Sequence, residues 1–436
     1  MTSDLQKIND RYSMFSALAP HIPDDAEFLF SAKDNLTSAG IETRCGSKIL
    51  EGYRPAFDAA AIEKMKKSGG GLVGKTNMDE FGFGTFSVNS AYGIPKNPFD
   101  RERSCGGSSG GSACAAAVLE DHVSLGVSTG GSVCCPAAFC GVYGLTPTYG
   151  RVSRYGLIDY GNSLDKIGLL SADAGRLKKH LPTISGRDPR DPTSCVQPEP
   201  ALSGKRIGSV AVPKEALDGA SADVRRAFNE SLERIRGMGA DVETVDMPAL
   251  RYAMPAYYII ATCEASTNLA RYVGMRYGRQ DGDLALKFDD YFTSFRTKYF
   301  GDEAKRRILL GTYTRMAGFR DRYYAKALSV RRHVIGSYRE ILKNYDAVAT
   351  PTMPFVSPKF ADIALMGPVE SYAADRLTIP PNLAGTPHLS VPCGYDGDGM
   401  PIGLQLVADH WNEDVLISFA SDWEGMFDSR RAEADI

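Results

Sequence analysis

Two glycine–serine clusters lie close together in this 436-residue chain: SCGGSSGGS at 104–112 and GVSTGGS at 126–132. Gly/Ser-rich composition is that of a flexible spacer. The neighbours argue otherwise. The first cluster runs straight into the alanine-rich GGSACAAAVLE (110–120), a helix by propensity. The second continues HVSLGV (122–127), which reads as a buried strand. Glycines set between core elements permit backbone conformations that other residues resist. Both clusters therefore read as backbone turns, each able to present one serine into a common site. On composition alone, turns with a purely structural job are the simpler explanation.

Other stretches that could carry chemistry are weaker. GGGLVGKT (69–76) satisfies the phosphate-loop pattern G-x-x-x-x-G-K-[ST]. That pattern works when a strand feeds the loop and a helix N-terminus receives the phosphate. Here a helix precedes the glycines, and NMDEFGFG after them is a poor helix start, so the match reads as accidental. The six histidines are dispersed without H-E-x-x-H, and the nine cysteines form no C-x-x-C pair. A metal site and a disulfide framework are both unexpected, even at the adjacent Cys134 and Cys135. A reducing cytoplasm is the expected location.

The elements that must position these residues follow from periodicity and punctuation. EFLFS (27–31) reads as a strand running into AKDN. DAAAIEKMKKSG (58–69) reads as a helix, GLVGKTN (71–77) as a short strand, and Pro136 as the opening of another helix. Residues 185–204 are turn-rich and read as a surface connection. KRIGSVAV, a helix capped by Ser221, and DVETVDM then form a β-α-β unit. A long helix over about 318–344, a strand at 347–350, late strands in SVPCG and GLQLVAD, and a closing helix in NEDVLISFASDWEGMF complete the reading. Strands alternate with helices throughout. The expectation is an α/β fold: a mixed, mostly parallel central β-sheet covered by helices on both faces.

Composition limits the partners. The chain is 43% hydrophobic and 24% charged, with a formal net charge of -3 from 50 basic and 53 acidic residues. It lacks the basic field that grips nucleic acid. The opening MTSDLQKIND is polar and unlike a signal peptide. No apolar run reaches about 18 residues, so no membrane contact is expected.

CGGSSGGSACAAAV followed by GVSTGGSVCCPAAFCGVYGLTPTYGRVSRYGL, with AKDN upstream, resembles the amidase signature family. The resemblance implies a Ser–Ser–Lys triad that hydrolyses amides: Ser132 as nucleophile, Ser108 as bridging serine and Lys33 as base. A serine hydroxyl needs an adjacent base. A lysine serves only when neutral, and burial can bring its pKa down from about 10.4 toward that condition. The resemblance further implies an oxyanion hole from the backbone N–H groups of Thr129, Gly130, Gly131 and Ser132, and a cis Gly107–Ser108 peptide bond. It implies one domain over 1–436, with a short N-terminal segment (1–25) and a catalytic core over about 26–170. The pattern also departs from the family. Aspartate before TGG, arginine two positions after the nucleophile and a following glutamine are replaced by Ser128, Cys134 and Cys135. Loss of both members of an ion pair reads as paired replacement.

Further segments, among them GKTNMDEFGFGTFSVNSAYG, YYIIATCEASTNLARYVGMRYG, KRRILLGTY and LTIPPNLAGTPHLSVPCG, are similar to the glutaminase (A) subunits of tRNA-dependent amidotransferases. In that branch glutamine is hydrolysed and ammonia passes to the B subunit of a heterotrimer. The B subunit binds the misacylated Asp-tRNA or Glu-tRNA and uses ATP, with Mg expected there, to activate its carboxylate. The C subunit joins the other two. No cofactor is expected in this chain. By the same resemblance Arg307 holds the glutamine carboxylate, Asp375 its ammonium, and Tyr258 or its rival Tyr257 lines the pocket. Three rival readings stand beside this one: a stand-alone amidase on another small amide, a silent scaffold protein, and a cysteine-type glutaminase using Cys105 or Cys134.

Overall fold

A computed structural model describes residues 2–196, 204–427 and 429–430. Part of the expected surface connection, residues 197–203, lies outside the described residues. Eleven strands form one sheet: β1 (Phe15–Leu18), β2 (Phe28–Lys33), β3 (Gly70–Thr76), β4 (His122–Ser128), β5 (Tyr143–Thr146), β6 (Lys166–Ser171), β7 (Ser209–Pro213), β8 (Asp241–Val245), β9 (Ala347–Pro351), β10 (His388–Tyr395) and β11 (Pro401–Val407). Their spatial order is β1-β3-β2-β4-β6-β5-β10-β11-β9-β7-β8.

β3, β4, β6 and β11 are buried along their whole length, because helices cover both faces of the sheet. The edge strand β8, DVETV, has no buried residue and carries two acids. The sheet is mixed, but it is not mostly parallel. Four pairings are parallel and six antiparallel. β10 and β11 form a hairpin, and β5, β6 and β9 each run antiparallel to a neighbour, so strand direction alternates through the middle of the sheet. The N-terminal segment supplies a helix (Thr2–Tyr12) and the edge strand β1, paired antiparallel to β3. Among the described residues no helix is long and apolar enough to cross a membrane.

Topology explains why the chemistry gathers at one rim. β2, β3 and β4 are parallel neighbours, so their carboxyl ends open on the same side, where α/β sheets bind ligands. Lys33 ends β2, Asp79 lies just past β3, and residues 129–132 follow β4 directly. β6 runs antiparallel to β4 with Lys166 opposite Ser128, which brings the preceding Asp165 to the same rim. A second layer roofs this rim. The helices Leu250–Asn268 and Asp302–Arg315 and the turn Ala374–Leu377 belong to it. The two helices pack through a cluster that includes Phe81, Phe83, Tyr160, Tyr257 and Phe300, and the turn packs on the first of them.

Candidate active site

Lys33 is 1% exposed, and its Nζ lies 2.6 Å from Ser108 Oγ while donating to the Val127 carbonyl at 2.9 Å. Among the described residues no carboxylate forms an ion pair with it. Burial pulls its pKa down to about 7, although Asp79, Asp165 and Cys45 pull the other way. A neutral amine anchored through one N–H keeps its lone pair for the proton of a neighbouring hydroxyl. Ser108 is 1% exposed and Ser132 9%, so of the two serines Ser132 is the one open to a substrate.

The two glycine–serine clusters meet here. The Gly107–Ser108 peptide is trans, contrary to the expectation, and the chain reverses instead through Gly106 and Gly107 at φ +75° and +51°. A side chain at Gly107 would set its Cβ 3.1 Å from Ser132 Cα, so only glycine lets the first cluster lie against the second. Thr85 O and Ser87 Oγ hold the Gly107 peptide from below, and Asp79 fixes that segment by accepting from Ser87 N (3.0 Å) and Asn89 N (2.8 Å).

The turn 129–132 is equally constrained. Thr129 Oγ1 donates to Asp165 Oδ1 at 2.7 Å, and Asp165 Oδ2 accepts from the backbone N–H groups of Tyr160 and Gly161. Among the described residues the N–H groups of Gly130, Gly131 and Ser132 donate to no acceptor. They are a ready set of donors for developing negative charge. Burial pushes both Asp79 and Asp165 up to about 7.

Of the remaining expected residues, Asp375 and Tyr257 lie against the same turn. A Cβ on Gly131 would stand 2.8 Å from Asp375 Oδ1, and one on Gly130 would stand 3.0 Å from the Tyr257 hydroxyl. Asp375 Oδ2 accepts from Thr85 Oγ1 at 2.8 Å, whereas the buried Oδ1 has no partner among the described residues. Burial raises this carboxyl to about 7. Arg307 is buried, with Nε on Glu303 at 2.7 Å and Nη1 on the Tyr160 hydroxyl. Four rings face its guanidinium at 5.2–5.7 Å: Phe83, Tyr160, Tyr258 and Tyr372. Tyr258 also stacks on Tyr372 with centroids 4.1 Å apart. Both tyrosines are thus at the site, Tyr257 beside the turn and Tyr258 beside Arg307. A cavity of about 230 Å³ opens here, lined in part by Thr85, Arg307, Met366 and Tyr372.

The departures from the family pattern occupy neutral positions. Ser128 Oγ accepts weakly from Asn382 Nδ2 at 3.4 Å, and Cys134 Sγ donates to Gly144 O at 3.5 Å. Beside them lies Lys166, whose Nζ donates to Thr386 O at 2.9 Å and whose pKa burial lowers to about 7. Burial lifts the Cys134 thiol to about 12 and the Cys105 thiol well above its ordinary value, so neither is a nucleophile near neutrality. Among the described residues no group of three or more His, Cys, Asp or Glu side chains is placed to hold a metal ion. Lys75 of the phosphate-loop match is buried within β3 and ion-paired with Asp34. Sequence reasoning missed Asp79, Asp165, Tyr160 and Thr85. The only signal for the first was a pair of acids in a glycine-rich aromatic segment.

A model of the amidase family matches residues 28–417. The chain belongs to the amidase family. Among curated relatives, the A subunit of the glutamyl-tRNA(Gln) amidotransferase of Archaeoglobus fulgidus is 46% identical over 402 residues, 91% of this chain and 85% of that protein. Among solved structures, the A subunit of the glutamyl-tRNA(Gln) amidotransferase of Thermotoga maritima is similar with a TM-score of 0.84 at 33% identity, covering 99% of this chain and 94% of that one. A 6-aminohexanoate cyclic dimer hydrolase complexed with substrate gives the same TM-score at 25% identity, with 99% and 93% covered. This amidase-family enzyme therefore shares its fold with relatives acting in two different settings.

Proposed function

We propose that this enzyme is the glutamine-hydrolysing component of a tRNA-dependent amidotransferase. The observation that carries the reading is a cluster around the 129–132 turn: Lys33 Nζ lies 2.6 Å from Ser108 Oγ, Gly107 packs against Ser132, an unpartnered Asp375 oxygen lies against Gly131, and the caged Arg307 acts on that carboxylate. Free glutamine is a zwitterion. Arg307 takes its carboxylate and Asp375 its ammonium, which leaves the side-chain amide at Ser132. A cavity of about 230 Å³ opens beside Thr85 and Arg307, at the end of the cluster that takes the carboxylate in this reading.

In the reaction Ser132 Oγ attacks the carboxamide carbon. Its proton passes to Ser108, and the Ser108 proton passes to Lys33 Nζ. The oxyanion is held by the free N–H groups of the 129–132 turn. Lys33 returns the proton through Ser108 to the departing nitrogen, and ammonia leaves. Water attacks the acyl-enzyme by the same relay to release glutamate. In this reading ammonia is consumed by a partner protein, which binds Asp-tRNA(Asn) or Glu-tRNA(Gln) and activates its carboxylate with ATP and Mg. A third component joins the two, and the assembly works in the cytoplasm. The amidotransferase relatives named above, at 33–46% identity, support it.

The test is Ser132→Ala in the co-purified complex. Glutamine hydrolysis is lost, while tRNA amidation driven by added ammonia persists. Hydrolysis surviving the substitution defeats the assignment. A second reading, a stand-alone hydrolase of another small amide, is favoured by the likeness to the 6-aminohexanoate cyclic dimer hydrolase. It requires activity of the chain alone on amides without an α-carboxylate, and indifference to Arg307→Met.

A further inference from the structure

Tyr160 links Arg307 to the carboxylate that holds the 129–132 turn, without being one of the expected residues. Its side chain is buried, and its ring meets Phe83 edge-on, with centroids 4.7 Å apart at 85°. Its hydroxyl accepts from Arg307 Nη1, and Tyr257, whose hydroxyl lies against Gly130, is among its electrostatic neighbours. Its backbone N–H donates at 2.9 Å to Asp165, the carboxylate that holds Thr129. Its ring and Ser108 Oγ flank the same glycine, at 3.5 and 3.6 Å from where a Cβ on Gly82 would stand.

A guanidinium has five N–H donors. Glu303 and Tyr160 engage two of those on Arg307, leaving three for an incoming carboxylate. The four surrounding rings attract the cation but do not fix its rotation in its own plane. Directional acceptors do: Glu303 takes Nε and Tyr160 takes Nη1, and Tyr160 is the one tied through Asp165 to Thr129 of the turn. We infer that Tyr160 is a positioning residue that selects amides bearing an α-carboxylate, by orienting Arg307 and tying its position to the 129–132 turn. The inference rests on the glutaminase reading and names the residue that makes its pocket specific.

The experiment compares Tyr160→Phe with wild type in the full chain and its complex. Phenylalanine keeps the ring contacts and removes only the hydroxyl. KM for glutamine rises about tenfold with kcat little changed, as expected for one hydrogen bond to a charged group. The rate at which a fluorophosphonate, which carries no carboxylate, labels Ser132 stays within about twofold of wild type. In an Arg307→Met background Tyr160→Phe adds nothing further. Equal losses in both assays, or a loss that adds fully to that of Arg307→Met, makes Tyr160 a merely structural residue and overturns the inference. So does an unchanged KM. A wild-type enzyme that labels at Ser132 but does not hydrolyse glutamine removes the glutaminase reading and this inference with it. Glutamine turnover with an unchanged Tyr160→Phe removes only the inference.

Discussion

Two lysines on adjacent strands of one sheet have come to opposite ends. Lys33 and Lys75 lie on the parallel neighbours β2 and β3, one register step apart, with Ala32 opposite Lys75 and Lys33 opposite Thr76. Both are buried. Lys75 Nζ has Asp34 at 3.4 Å and Thr43 Oγ1 at 3.1 Å. Lys33 Nζ has a hydroxyl and a carbonyl. Asp34, in the turn just past β2, pairs with Lys75, and among the described residues no carboxylate pairs with Lys33. Burial depresses the pKa of both amines, but Asp34 works against it at Lys75. A buried lysine with a carboxylate is a strut. Without one it can lose its proton near neutral pH.

The largest expected effect breaks this comparison from the Lys33 side. Lys33→Met removes the proton acceptor and fills similar space. Glutamine hydrolysis, read as ammonia release, drops by at least about a thousandfold, the scale on which members of a nucleophile–base set fail. The protein stays folded. If turnover survives, Lys33 is a strut as well. Lys75→Met inverts the outcome. It strands the Asp34 charge and costs about 3–5 kcal/mol of unfolding free energy in a denaturant titration. Adding Asp34→Asn restores part of that loss, because no charge is then left unpaired.

The pH dependence sharpens the comparison. In the proposed mechanism Lys33 acts deprotonated, and Asp375 holds the substrate ammonium when ionised. Both titrate at about 7. Lowering the pH through that value removes both active forms, so log kcat/KM falls with a limiting slope of about two. Once glutamine is bound, its ammonium keeps Asp375 ionised, and log kcat falls with a slope of only about one. Asp375→Asn reduces the kcat/KM slope to that lower value and raises KM. A profile that is flat between pH 6 and 8 contradicts both assignments.

How much of this the sequence made legible depends on how local each signal is. β2, β4, the helix Gly110–Val118 and the β-α-β unit with its Ser221 cap announce themselves through short-range pattern, and their bounds agree within a few residues. The lysine and the two serines stand in compact motifs; the structure sets Lys33 Nζ 2.6 Å from Ser108 Oγ and packs Gly107 against Ser132. The GKT match was rightly set aside, since those residues form a buried strand. The roof was hidden. The helix Leu250–Asn268 buries residues around most of its surface and contains Pro255, so no amphipathic stripe marks it. The helix Asp302–Arg315 buries an arginine and exposes Leu309 and Leu310, the reverse of the usual signal. β5 and β6 are short runs on either side of a turn-rich segment, residues 147–165, and strand direction depends on connections that local periodicity does not encode. Asp79 and Asp165 are single acids whose meaning appears only when parallel and antiparallel strands deliver them to one rim.

The smallest expected effect concerns Asp79. Of the charges acting on Lys33, its carboxylate is the strongest that favours the protonated form. Asp79→Asn removes that attraction, moving Lys33 further from the condition of Lys75. The amine then gives up its proton at lower pH, and the acid limb of the kcat profile moves toward acid. Asp79 itself titrates at about 7, so it is only half ionised where the limb falls, and the displacement is less than about one pH unit. The amide cannot accept from Ser87 N and Asn89 N as both carboxylate oxygens do, so the melting temperature falls slightly as well. The direction is what matters. An acid limb displaced toward alkaline pH, or a variant that merely loses rate uniformly across the profile, shows that Asp79 holds the 85–89 segment in place and exerts no electrostatic control over the base.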